Sequence, residues 1–170
     1  ERSAEIREVG AGLMVWANAR RALCDLGVDS ALAAASSCVS VMHQCHYATG
    51  EVIRTWVNQQ IIEKYGFATL QVHRGDLNQI LAEAVQANDP AVLHPGHEFV
   101  SLKQDSSGVS VSFANGASDH GDAVIGADGN ASAVRSLLFP GEATRFNGQV
   151  AFRALVPDEL VPASVREHEQ

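Results

Sequence analysis

The chain has 170 residues, 46% hydrophobic and 19% charged, with a formal net charge of −8. That length and balance suit a globular fold with a real core. The acidic balance, with no basic cluster, argues against nucleic acid or an anionic membrane as main partner, and no run approaches the ~18 apolar residues of a membrane span.

The first residues, "ERSAEIREVG", are charged, lack an initiator Met and lack the apolar stretch of a signal peptide. Cys24, Cys38 and Cys45 are an odd number without disulfide-framework spacing, which points to a reducing compartment, the cytoplasm.

"NARRALCDLG" reads as a helix, with Ala19, Ala22, Leu23 and Leu26 on one face, Asn18 as its cap and Gly27 past its end. "DSALAAASS" reads as a second, shorter helix. "CVSVMHQCHY" and "EVIRTWV" read as two strands joined around Thr49-Gly50. "TLQVHR" is a strand running into the helix "GDLNQILAEAVQAND", with a stripe of Leu77, Ile80, Leu81, Ala84 and Val85 and a stop at Pro90. A three-strand meander follows, its turns at Ser106-Ser107-Gly108 and Asn115-Gly116. The apolar run Ala123 to Ala127 does not alternate, as expected of a central parallel strand covered on both faces. A helix from Asn130 to Leu138 comes next, with Ala131, Val134, Leu137 and Leu138 inward, ended by Pro140-Gly141. "GQVAFRALVP" reads as a last strand.

Three stretches carry chemistry. Asp128 stands at the carboxyl end of the apolar run, where ligands of α/β sheets bind, and a carboxylate accepts ribose or polyol hydroxyls. Gly129 lets a ligand approach the backbone, and Ser132 and Arg135 share a helix face. A plain helix cap explains Asp128 equally well. Arg74 lies where a strand meets a helix N-terminus, a place suited to gripping phosphate, while pairing with Asp76 is the simpler account. Gly10 and Gly12 do not complete a dinucleotide fingerprint, since position 15 is Val, so Gly10-Ala11-Gly12 reads as a loop. Cys38, His43, Cys45 and His46 alternate faces on a strand and do not converge, which argues against a metal site.

Read together, these pieces resemble the FAD-dependent aromatic hydroxylases, the single-component flavoprotein monooxygenases that include salicylate and hydroxybenzoate hydroxylases. The likeness lies in "ER", "EVGAGLMVWANARRALCDLG", "GFATLQVHRGDLNQILAEAV", "DAVIGADGNASAVRSLL" and "GQVAFRALVP", in that order. The resemblance implies an α/β fold: a partial FAD-binding, Rossmann-like domain over residues 1–145, with a parallel sheet and the antiparallel meander. Residues 146–170 would begin a β-sheet substrate domain, to which strands within 38–57 could add. It implies FAD held by Glu1 and Arg2 at a strand end, Ala11 beside the flavin, Arg74, the backbone of Val100 near adenine, and Asp128. NAD(P)H, O2 and a phenol or aromatic acid would complete the reaction, with no metal, and a homodimer is left open. No residue is assigned as catalytic acid or base. Arg153 is read as an outward strand arginine ahead of a contact to a substrate carboxylate. The family's glycine-rich phosphate loop would precede Glu1 and its second FAD motif would follow Gln170, so the chain is expected to be an internal segment of a longer protein. Two rivals are a related FAD epoxidase or reductase and a non-catalytic module binding a nucleotide or a protein.

Overall fold

The computed structural model describes residues 1–5, 12–142, 144–152 and 156–163. They fall into two compact units, one of Glu1–Ile6 with Asp89–Phe152, the other of Arg7–Asn88 with Arg153–Gln170.

The second unit is built on three short strands. Strand β1 (Gly12–Val15) and strand β2 (Ser36–Ser37) flank strand β5 (Leu70–His73), and both pair with it antiparallel. Residue 12, expected in a loop, opens β1, whose four residues carry too little alternation to be read without their partner. Helix α1 (Ala17–Asp25) starts one residue before Asn18, has no side-chain cap, and ends at Gly27, whose φ of +78° only glycine adopts freely. Its expected face is only partly used: Leu23 packs on the core, whereas Leu26 is 69% exposed. Helix α2 (Asp29–Ala34) carries the fully buried Leu32. Arg20 grips Asp29 through two bonds, Nε to Oδ1 at 2.8 Å and Nη2 to Oδ2 at 3.1 Å, and so ties α1 to α2. The core is Val15, Leu32, Leu70 and Val72, with Leu13, Leu23 and Leu77 packed against it.

Strands β3 (Val41–Cys45) and β4 (Val52–Val57) form a separate antiparallel ribbon turning at Gly50, as the sequence predicts. Cys38 lies before this ribbon, so it does not alternate with His43 and Cys45 as expected. Helix α3 (Asn58–Tyr65) follows β4 at once and stops at Gly66, φ +79°. Helix α4 (Arg74–Asn88) continues β5 without a break; no residue of it is fully buried, and Val85 at the end of its stripe is 40% exposed.

The first unit holds the meander: β6 (Phe99–Asp105), β7 (Gly108–Phe113) and β8 (Ser118–Gly121), all antiparallel. Val109 and Val111 alternate with exposed serines on the central strand and are buried. Helix α5 (Ala133–Leu138) packs on β6 and buries Val134. It begins later than expected, and Leu137 and Leu138 are about half exposed.

The expected parallel sheet is not found: every strand pair among the described residues is antiparallel. Residues 123–127 form no strand, and Ile125 is 91% exposed. A strand needs a neighbour to take its N–H and C=O groups, and no described strand lies beside this run. Residues 149–152, expected to be strand, are likewise unpaired, with Phe152 96% exposed; Arg153 lies outside the described residues.

Candidate functional site

The Asp-Gly turn leads from the exposed run 123–127 to α5. Gly126 is required by packing: a Cβ there would stand 2.8 Å from Val134 Cγ1. Gly129 has φ +82°, with open space where a Cβ would sit. Between them Asp128 is exposed and organised by α5. Its Oδ1 accepts from the Ser132 hydroxyl at 2.5 Å, and its Oδ2 accepts from the Val134 amide at 3.1 Å. Ser132, which is buried, is the N-cap and accepts from the Arg135 amide at 2.9 Å. The Ser132 hydroxyl, then the Val134 amide, hold the Asp128 carboxyl below its ordinary value. The capping account of Asp128 is therefore realised. A carboxylate offers about four lone-pair positions, and these two bonds leave acceptor capacity facing solvent. The Arg135 guanidinium donates back to the Asn130 carbonyl at 2.5 Å.

Val100 has an unexpected position. The β6–β7 register steps from Phe99↔Phe113 to Ser101↔Ser112, which makes Val100 the extra residue of a bulge. A bulge takes one residue off the ladder and turns its backbone aside. No local pattern signals this bulge, because register belongs to two strands at once. Glu1 lies along the loop before β6: its carbonyl accepts from the His97 amide at 2.8 Å, and Ser3 accepts from Gly96 at 2.9 Å. The Ser3 amide, donating to Glu1 Oε1 at 2.8 Å, lowers the Glu1 pKa. Arg2 is exposed. Four of the six expected residues, Glu1, Arg2, Val100 and Asp128, thus belong to one unit. Glu1 and Val100 are directly tied to β6 and its lead-in, and Asp128 is tied to α5, which packs on β6.

Arg74 belongs to the other unit and is exposed at the first residue of α4. Its neighbour His73 accepts the Gly75 amide at Nδ1, 3.2 Å, and the same Nδ1 lies 3.9 Å from Asp76 Oδ1. Ala11 lies outside the described residues. The described residues contain no helix long and apolar enough to cross a membrane.

Comparison with known proteins fits these features. Residues 10–167 match the FAD binding domain family. The chain belongs to that family. It is 30% identical over 166 residues to 6-hydroxynicotinate 3-monooxygenase of Pseudomonas fluorescens, covering 97% of this chain and 42% of that protein. It is 29% identical over 167 residues to 3-hydroxybenzoate 6-hydroxylase of Polaromonas naphthalenivorans, covering 98% of this chain and 42% of that one. Among solved structures, a single-residue variant of Klebsiella pneumoniae HpxO complexed with FAD superposes with a TM-score of 0.67 at 26% identity, covering 81% of this chain and 34% of that one. The chain thus spans less than half the length of these relatives. Within the unit that holds the meander, the donors and acceptors suit the hydroxyls and base of an FAD: an exposed carboxylate at Asp128, a side-chain-free turn at Gly129 and the bulged backbone at Val100.

Proposed function

We propose that the protein carrying this chain is an FAD-dependent monooxygenase that hydroxylates an aromatic substrate, a phenol or aromatic acid, using NAD(P)H and O2. The Asp-Gly turn carries the reading. It presents a carboxylate that is fixed by Ser132 and Val134, stays ionised, and is still exposed. Family membership and relatives named as monooxygenases and hydroxylases support it.

In this reading Asp128 accepts cofactor hydroxyls, Gly129 leaves room for them, and Glu1 and Arg2 hold the adenosine end. Val100 offers its bulged backbone to adenine, Ala11 lies beside the flavin, and Arg74 supplies positive charge to the cofactor. Bound FAD supplies the redox chemistry, taking reducing equivalents from NAD(P)H and activating O2. What these residues of the chain do is bind and orient. The rest of the cofactor and substrate sites would come from the part of the protein that the relatives have beyond this chain. Residues 1–145 would serve the cofactor and 146–170 open the substrate domain. Three cysteines without a bridge support a reducing compartment such as the cytoplasm.

The test is the full-length protein. It should purify with, or take up, flavin absorbing near ~370 and ~450 nm. It should oxidise NAD(P)H faster with a phenolic acid present, and product formed under isotopic O2 should carry one labelled oxygen. No flavin binding even with added FAD would overturn the reading.

A further inference from the structure

We propose that Asn58 is a positioning residue for Arg74, which rests on the reading of Arg74 as a cofactor-binding arginine. Asn58 is a polar residue only 3% exposed, and its side chain is fully engaged. Its Oδ1 accepts from the Thr69 amide at 2.9 Å, and its Nδ2 donates to the Thr69 carbonyl at 2.9 Å. The same Nδ2 donates to the Val39 carbonyl at 2.9 Å, and the Asn58 amide donates to the Ser40 carbonyl at 2.9 Å.

A carboxamide carries the same donor and acceptor as a peptide unit. By taking both the N–H and the C=O of one residue, Asn58 acts as an extra rung of the sheet. That rung stands at Thr69, the residue before β5, which is 1% exposed. It binds three stretches of chain together: the approach to β3, the start of α3 and the start of β5.

From Thr69 the chain runs directly to Arg74. All four residues of β5 between them pair with β1, Leu70 with Val15 and Val72 with Leu13, and Gln71 and Val72 pair with β2 as well. Such a strand advances ~3.3 Å per residue with little slack. Arg74 follows His73 with no intervening loop and opens α4. A strand held at its sides but released at its start can fray or shift along its length, and Arg74 would move with it. Removing the carboxamide would also leave the buried N–H and C=O of Thr69 and the part-buried C=O of Val39 without their partner.

The test is a double-mutant cycle in the full-length protein, read by FAD affinity from flavin fluorescence and by hydrogen exchange of the apo-protein. Asn58→Ala should weaken FAD binding about tenfold in the native background and less than about twofold in an Arg74→Ala background. It should also speed exchange of the amides at residues 69–73 in the absence of FAD. Should Asn58→Ala fail to fold, Asn58→Ser, which keeps one hydroxyl near the amide position, enters the same cycle. An equal loss of affinity in both backgrounds, or unchanged exchange at residues 69–73, overturns the proposal alone. Native protein that binds no FAD, or an Arg74→Ala variant with native affinity, overturns the reading of Arg74 and the proposal with it.

Discussion

The Ser132 hydroxyl donates to Asp128 Oδ1 at 2.5 Å and accepts from the Arg135 amide at 2.9 Å. One side chain thus caps α5 and fixes the carboxylate on which the functional reading rests. Ser132→Ala should cost about 1 kcal/mol of stability through the lost N-cap. It should also let the Asp128 carboxyl rise toward its ordinary value, since its leading hydroxyl donor is gone. Urea unfolding measures the first effect, and carboxyl NMR titration the second. In the full-length protein the same variant should bind FAD more weakly, and native affinity would detach Asp128's geometry from cofactor binding.

Acid stability follows from the same carboxylate. Its folded pKa lies below the unfolded value, through the Ser132 hydroxyl and then the Val134 amide. Its contribution is therefore fully present above the unfolded value of about 3.9 and is lost as pH falls through the lowered folded value. Asp128→Asn should be less stable than native at neutral pH, with the gap in urea midpoint closing on acidification below about pH 4. A gap that stays constant with pH would refute the linkage.

Gly126 is a packing glycine. A Cβ there would meet Val134 Cγ1 at 2.8 Å and Val134 Cβ at 3.0 Å, and a β-branched side chain cannot easily turn away. Gly126→Ala should cost about 1–3 kcal/mol as overpacking. Adding Val134→Ala should recover part of that loss, so the two changes together should be less harmful than their sum. Strict additivity in thermal unfolding would place the strain elsewhere.

How much of this was legible in the sequence depended on how local each signal was. The meander was readable because Val109 and Val111 alternate with serines and glycines mark the turns. Helix α4 was readable from its stripe, although the stripe is only half covered. The run 123–127 misled, because an unbroken apolar stretch signals burial only when strands lie beside it, and none among the described residues does. Helix α3 was missed because eight residues of mixed polarity leave little period, and its one buried residue is Asn58. The Asn58–Thr69 clasp spans 11 residues and has no periodicity at all. The Asp128 capping role was legible from residue type, whereas the Val100 bulge was not, being a property of two strands.

Thr69 supplies the last prediction. Its hydroxyl is buried and has no hydrogen-bond partner among the described residues, while its backbone is held on both polar groups by Asn58. A hydroxyl in that state costs its desolvation and returns nothing, whereas a methyl of similar size carries no such cost. Thr69→Val keeps the β-branched shape that an extended backbone favours. It should therefore raise stability by about 1 kcal/mol, seen as a higher urea midpoint with an unchanged slope. Thr69→Ser keeps the unpartnered hydroxyl, loses the methyl and should fall below native. A Val variant less stable than native would mean that the hydroxyl has a partner, such as a buried water, and would reverse the order of the two variants.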